Sequence, residues 1–186
     1  MWGPEMIWRV TGGGRLLRIV VKRAPGDGRR GVLAARGIRT EAALGRAGIG
    51  RGKREGDDRT PVGRFRLLTV FYRPDRVRRP RTALPVIAIR PDLGWCDDPA
   101  DRNYNRPVRL PYAGRHERMW RRDRLYDIVV VLDFNLARPA PGAGSAIFLH
   151  IAGADFGPTE GCIAVSEPSL RRLLAYVGSY AVVVVR

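Results

Sequence analysis

Residues 126–133 constrain the fold more than any other part of the sequence. They read Tyr-Asp-Ile-Val-Val-Val-Leu-Asp, a nearly continuous run of apolar and β-branched side chains. Such a run is typical of a central strand that is buried on both of its faces. We therefore expect the core to be built around this segment.

Other segments have the composition of further strands, namely residues 65–70, 147–151 and 181–185. Residues 7–21 alternate, break at the glycine triplet 12–14 and resume, which predicts a hairpin with a glycine turn. The triplet lacks the Lys-Ser/Thr pair that follows the glycines of a phosphate-binding loop. The sequence therefore indicates paired strands along much of the chain.

One helix is predicted near the C-terminus. Ser166 can cap it, Pro168 suits its first turn and Gly178 ends it. Its apolar face consists of Leu170, Leu173, Leu174 and Val177. The predicted fold class is therefore mostly β with one or two short helices.

A chain of 186 residues with 45% hydrophobic residues is long enough to bury one core, and we expect a single domain over residues 1–186. Residues 91–124 look irregular, with several prolines and aromatic residues. A connection longer than about 12–15 residues in a compact domain is usually functional or disordered. The aromatic residues favour order, so we predict a substrate-binding wall or a lid here.

The formal charge is +16, carried by arginines spread along the chain. A basic surface attracts nucleic acid, anionic lipid and carboxylate-rich wall polymers alike, so charge alone does not choose between them. The sequence has no zinc-ligand spacing, RNP-like pattern or helix-turn-helix signature, and we predict no specific nucleic-acid binding. We also expect no transmembrane segment, because no apolar run approaches about 20 residues, and we find no export signal.

His150 and Cys162 carry the chemistry that the sequence suggests. His150 ends an apolar strand, and a short return loop leads to Cys162. Acyl transfer through sulfur needs a thiolate, which a nearby imidazole helps to form. Gly161 allows a tight turn that points the Gly161 and Cys162 amides at an oxyanion. A carboxylate or the Ile151 carbonyl would orient the imidazole of His150. The alternative is that the histidine and the thiol are both structural.

Two segments resemble the YkuD-type L,D-transpeptidase family. Residues 147–151 and the turn Pro-Thr-Glu-Gly-Cys-Ile-Ala-Val-Ser at 158–166 are similar to the histidine strand and the Ser/Thr-x-Gly-Cys turn of that family. Upstream, Thr-Pro-Val-Gly-Arg-Phe at 60–65 resembles its Thr-Pro-x-Gly-x-Phe segment. The two motifs occur in the family order, which makes them more specific than a lone histidine and cysteine.

The resemblance implies a β-sandwich or barrel-like catalytic domain that acts on peptidoglycan stem peptides. Cys162 would attack the carbonyl after the third residue of a tetrapeptide stem and expel the terminal D-alanine, and an amine of another stem would accept the acyl group. His150 would be the base, the Ile151 carbonyl its orienter, and the Gly161 and Cys162 amides the oxyanion donors. No metal or organic cofactor is implied, and carbapenem-type compounds become expected inhibitors.

The turn departs from the family pattern Ser-His-Gly-Cys-x-Arg, since its second histidine and the following arginine are absent and the spacing between His150 and Cys162 is shorter. We infer a divergent subfamily, in which the cross-link is of the 3,3 type or another such as 1,3. Predicted substrate contacts combine flat apolar surfaces with polar handles: Thr159, Glu160, Tyr104, Asn105, Arg106, His116 and Trp120.

Two other residues, His116 and Cys96, carry side chains that could react. His116 is an alternative base, but its charged neighbours suggest an exposed position. Cys96 lacks a glycine turn and a paired histidine, which favours a structural thiol.

Two further functions stay open at this point. Water as acceptor would give an L,D-carboxypeptidase, and structural roles for His150 and Cys162 would leave a basic module that binds the cell wall. The implied substrate lies outside the cytoplasmic membrane, so we expect a periplasmic protein.

Overall fold

The computed structural model describes residues 17–186, so most of the predicted N-terminal hairpin lies outside the described residues. Within them the chain forms one helix and a series of mostly short strands. In chain order these are β1 (Arg18–Arg23), β2 (Arg30–Ala35), β3 (Ile38–Ala43), β4 (Ile49–Gly50), β5 (Thr60–Pro61), β6 (Gly63–Tyr72), β7 (Val86–Ala88), β8 (Leu93–Cys96), β9 (Arg106–Arg109), β10 (His116–Arg118), β11 (Ile128–Leu132), β12 (Phe148–Ile151), β13 (Ile163–Val165), α1 (Glu167–Leu174) and β14 (Val182–Val185).

The main sheet closes on itself. Its strand order is β11-β12-β13-β3-β2-β1-β14-β6-β7, and β11 also pairs with β6. The long strand β6 makes closure possible, because its first half pairs with β14 and its second half with β11. The result is a barrel-like ring with β7 added beside β6, which confirms the predicted mostly β class.

Strand β11 is the predicted central strand, and all five of its residues are buried. Ile128, Val130 and Leu132 face the core inside the ring, whereas Val129 and Val131 face a second core on the outside. Because side chains alternate along a strand, an uninterrupted apolar run is what a strand with a core on each face requires. The prediction of burial on both faces is confirmed.

The second core lies under a small antiparallel sheet of order β10-β8-β9. This sheet arises from residues 91–124, so the prediction that this stretch is irregular was wrong. Trp95 of β8 packs edge to face on Phe148 of β12, with ring centroids 5.0 Å apart. The segment is thus an ordered layer that packs on the outward-facing side chains of strands β11 and β12.

Helix α1 begins as predicted. The Ser166 hydroxyl accepts a hydrogen bond from the amide of Ser169, and a proline occupies the first turn. The helix ends at Leu174, earlier than the predicted end at Gly178, although Val177 still packs in the inner core. No helix within residues 17–186 is both long and apolar enough to span a membrane.

Candidate active site

Parallel pairing of β12 and β13 brings the two chemically important side chains to one face of the sheet. Leu149 lies opposite Ile163, and His150 lies opposite Ala164. Leu149 and Ile163 point into the inner core, so their neighbours His150 and Cys162 point to the other side. Both line a cleft of about 460 Å³.

Cys162 is held as a protonated thiol in this structure. Its Sγ donates to the Ala146 carbonyl oxygen at 3.1 Å and accepts from the Phe148 amide at 3.3 Å. Burial, followed by the negative charge of Glu117, raises the pKa of Cys162 to about 12. The thiol therefore needs a base close by before it can act as a nucleophile.

His150 is a buried, neutral imidazole with a fixed tautomer. Its Nδ1 lies 2.8 Å from the carbonyl oxygen of Ile151, which can only accept, so Nδ1 carries the proton and Nε2 keeps a lone pair. Burial lowers the pKa of His150 to about 4, against the opposing effect of the Ile151 carbonyl. The ring packs edge to face against Tyr126, with centroids 5.2 Å apart.

The turn before Cys162 is built around Gly161, whose φ is +137°. The Gly161 amide donates to the Thr159 hydroxyl at 3.2 Å, and that hydroxyl donates to the Cys162 carbonyl at 2.7 Å. A side chain at Gly161 would place Cβ 2.8 Å from the Arg59 carbonyl oxygen. The tight turn thus requires glycine, and the Gly161 amide proposed for an oxyanion is engaged within the turn.

The predicted substrate-contacting residues fall into two groups. Thr159 and Glu160 line the cleft. The others lie outside its lining and stay predictions as substrate contacts: Tyr104, Asn105, Arg106, His116 and Trp120.

Tyr104 and Asn105 are buried and form hydrogen bonds with residues next to the cleft. The Tyr104 hydroxyl bridges the Glu55 carboxylate and the Gly144 amide, and burial raises the pKa of Tyr104. The side-chain oxygen Oδ1 of Asn105 accepts a hydrogen bond from the Ala146 amide at 3.0 Å. Asn105 therefore fixes the residue whose carbonyl receives the Cys162 thiol.

The remaining residues belong to the covering sheet and its edge. His116 is half-buried, which corrects the exposed position we predicted, and its Nδ1 lies 2.8 Å from the Gly114 carbonyl oxygen. It stands opposite Cys96, a buried free thiol whose pKa is raised by burial. Trp120 packs under the guanidinium of Arg73, and Arg106 is half-buried, with its pKa lowered by burial.

Only weak sequence signals indicated the charged residues that surround Cys162. Lys53 is nearly buried, pairs with Asp57 and lines the cleft. Glu117 of β10 accepts from the Tyr126 hydroxyl at 2.6 Å and pairs with Arg121 at 3.3 Å. Proximity to the upstream Thr-Pro motif was the one available signal for Lys53. Glu117 and Arg121 lie in the stretch 91–124 that was predicted as a substrate-binding wall or lid, but no local pattern indicated their contacts with Tyr126.

These contacts define what the site can do chemically. A thiol, a neutral imidazole and a tight glycine turn meet in one cleft, which is the arrangement that cysteine acyl transfer needs. Within residues 17–186 no His, Cys, Asp or Glu side chains cluster as they would around a metal ion.

A family model described as the YkuD L,D-transpeptidase catalytic domain matches residues 27–185. Comparison with curated proteins and with solved structures finds no match. The matched region extends from before β2 to the end of β14 and contains both Cys162 and His150.

Proposed function

Since the chain belongs to the YkuD family of L,D-transpeptidase catalytic domains, we propose that it cross-links peptidoglycan stem peptides through an acyl-enzyme on Cys162. The observation that carries the proposal is that Cys162 and His150 line one cleft while Ile151 fixes the tautomer of the histidine. The donor is a tetrapeptide stem, and its terminal D-alanine is the leaving group.

In the first half-reaction His150 Nε2 takes the thiol proton as Sγ attacks the carbonyl carbon. Because the pKa of Cys162 is about 12 and that of His150 about 4, a resting thiolate–imidazolium pair is disfavoured. Proton transfer therefore accompanies attack instead of preceding it. The C–N bond to D-alanine then breaks, and the imidazolium returns its proton to the departing amine.

The second half-reaction releases the acyl group to an amine of another stem. Amides of the nucleophile turn would stabilise the oxyanion. The Cys162 amide would donate to it directly, whereas the Gly161 amide would first have to release its hydrogen bond to the Thr159 hydroxyl. The Ile151 carbonyl holds the imidazolium in both half-reactions. We place this activity in the periplasm, because the proposed substrate lies outside the cytoplasmic membrane.

The test is mass spectrometry of purified tetrapeptide muropeptides incubated with the wild type, with Cys162→Ala and with Cys96→Ala. We expect loss of terminal D-alanine and new dimers with the wild type and with Cys96→Ala, whose buried thiol lies in the covering sheet. Fragmentation of the dimers would identify the cross-link as 3,3 or another type. Cys162→Ala should give neither product.

The outcomes separate the competing functions. Trimmed monomers without dimers would indicate an L,D-carboxypeptidase. Turnover that survives Cys162→Ala would contradict the acyl-enzyme. No turnover by a folded wild type, together with no carbapenem adduct on Cys162, would favour a non-catalytic basic module that binds the cell wall.

A further inference from the structure

Glu117 faces the catalytic cleft from the covering sheet. Its side chain is 25% exposed, and its two hydrogen bonds, from Tyr126 and Arg121, both end on Oε1. No buried side-chain nitrogen or oxygen in the described part of the chain lacks a partner, so Oε2, which has none, is exposed to solvent on a residue that lines the cleft. One oxygen is thus anchored and the other is available to a ligand.

The position of the Glu117 carboxyl group is unfavourable for acylation of Cys162. A negative charge beside a thiol disfavours the thiolate, and Glu117 is the largest electrostatic contributor to the raised pKa of Cys162. Arg121 offsets the charge incompletely, because its guanidinium also pairs with Asp123 at 2.7 Å. A role in binding a cationic group would explain a carboxylate at this position.

The cleft as a whole contrasts with the rest of the protein. Although the formal charge of the chain is +16, the side chains that line the cleft include more carboxyl groups than Lys and Arg side chains. Two of these cations, Arg46 and Lys53, already pair with Asp58 and Asp57. A ligand that enters with an ammonium group would therefore meet a complementary charge.

We propose that Glu117 binds the ammonium group of the amine acceptor through Oε2 and takes its first proton. This inference rests on the proposed function, because it assigns the group that prepares the second substrate. Tyr126 and Arg121 are then positioning residues that hold Oε1 and orient Oε2 toward the acyl-enzyme.

Two protons leave the acceptor nitrogen during this step. The ammonium gives one proton to the Glu117 carboxylate and becomes a neutral amine, whose nitrogen attacks the thioester carbon. As the C–N bond forms, His150 Nε2 takes the second proton, and the C–S bond then breaks. Sulfur leaves as a thiolate and recovers that proton from the imidazolium, while Glu117 releases its proton to water.

The acidity of Glu117 suits this task. Burial raises the pKa of Glu117 to about 7, against the lowering effects of Tyr126 and Arg121. An unperturbed glutamate near 4.3 is about six units more acidic than a side-chain ammonium near 10.4, and the raised value narrows that gap to about three units. A base closer in pKa to its substrate transfers the proton more effectively.

The experiment compares Glu117→Gln with wild type in two reactions. Acylation of Cys162 by a carbapenem is followed by intact-protein mass, and the ratio of dimer to trimmed monomer is followed with donor and acceptor muropeptides. We expect acylation that is unchanged or faster, because a negative charge near the thiol is removed. The ratio of dimer to trimmed monomer should fall about tenfold or more, as expected for loss of a general base.

Asp92→Asn is the matched control, since it removes a similarly exposed carboxylate next to strand β8 of the covering sheet, and Asp92 does not line the cleft. Tyr126→Phe keeps the ring beside His150 but removes the donor to Glu117, and it should lower the same ratio by a smaller factor. This second variant tests the proposal even where Glu117→Gln fails to fold.

An unchanged ratio, or a parallel fall in acylation and dimer formation, would overturn the role of Glu117 while leaving the transpeptidase intact. Failure of the proposed function itself is distinguishable. In that case the wild type makes no dimers and Cys162 forms no carbapenem adduct, so the loss does not depend on Glu117.

Discussion

The thiol of Cys162 donates to the carbonyl of Ala146, with Sγ and O 3.1 Å apart. Ala146 has a positive φ of 50°, which is uncommon for a residue other than glycine, and the Asn105 side chain holds its amide. A buried asparagine thus fixes an unusual backbone conformation, and that backbone in turn holds the nucleophile. In the resting site the Cys162 thiol is therefore protonated and hydrogen-bonded to Ala146.

The Cys162 thiol should react slowly with alkylating reagents. Compared with an ordinary cysteine of pKa about 8.5, a pKa of about 12 lowers the thiolate fraction about 3,000-fold at neutral pH. A more basic thiolate is also a stronger nucleophile, and this offsets about half of the loss in reaction rate on a logarithmic scale. We expect iodoacetamide to alkylate Cys162 at least about 50-fold more slowly in the folded protein than in urea, by peptide mass spectrometry. Equal rates would show that burial beside Glu117 does not suppress formation of the thiolate.

Asn105→Ala should destabilise the protein strongly. The side chain accepts from Trp95 Nε1 and the Ala146 amide, and it donates to the Phe134 and Asn135 carbonyls. Removing it leaves buried groups without partners, so we expect a loss of about 2–4 kcal/mol in the free energy of unfolding, measured in urea.

The matched control for that variant is Asn103→Ala. Asn103 is half-buried and its side chain donates to the Tyr112 hydroxyl at 2.8 Å. Its loss should cost less than about 1 kcal/mol. Similar costs for the two variants would contradict a special supporting role for Asn105.

Local sequence patterns predicted the parts of the fold that depend on local chemistry. The uninterrupted apolar run of β11 required a core on each face, and Ser166 with the following proline set the start of α1. The order of motifs identified the family. The parallel pairing of β12 and β13 places Cys162 beside the strand that carries His150. The short loop between the two strands made this proximity predictable.

The covering sheet could not be predicted in the same way. Its strands are only three or four residues long, and β9 contains Pro107 while β8 contains Gly94. Such segments carry little periodicity, and their pairing is set by contacts with a core formed elsewhere. The position of Glu117 over the cleft depends on that pairing, which is why its contact with Tyr126 emerged only from the structure.

His150 should make stability depend on pH in a defined direction. Its pKa is about 4 when folded and about 6.5 when unfolded. As the pH falls below 6.5, the imidazole becomes protonated in the unfolded state, whereas in the folded state it stays neutral down to about pH 4. The histidine therefore stabilises the folded state above pH 6.5, and this contribution is lost as the pH falls toward 4.

Urea unfolding of the wild type and of His150→Gln at pH 7 and pH 4.5 measures this effect. Between the two values the wild type should lose about 2.5 kcal/mol more than the variant, because other groups titrate equally in both proteins. The same loss in both proteins would mean that the imidazole becomes protonated without unfolding.

Gly161 and Gly142 form a matched pair for the nucleophile turn, because both have positive φ, +137° and +74°. A Cβ at Gly142 meets nothing within 4 Å, whereas one at Gly161 would lie 2.8 Å from the Arg59 carbonyl oxygen. Gly142→Ala should therefore cost only about 1 kcal/mol of backbone strain. Gly161→Ala must also move the turn away from Arg59, and it should cost at least about 2 kcal/mol.

The displaced turn carries Cys162 with it, so we expect acylation by a carbapenem to fall about 100-fold in Gly161→Ala, since a shift of about 1 Å at a reacting group has an effect of that size. Gly142→Ala, which leaves the turn in place, should acylate at the wild-type rate. Intact-protein mass against time measures both. If Gly161→Ala acylates as fast as Gly142→Ala, the close packing of Gly161 on Arg59 does not position the nucleophile, and the turn adjusts without moving the sulfur.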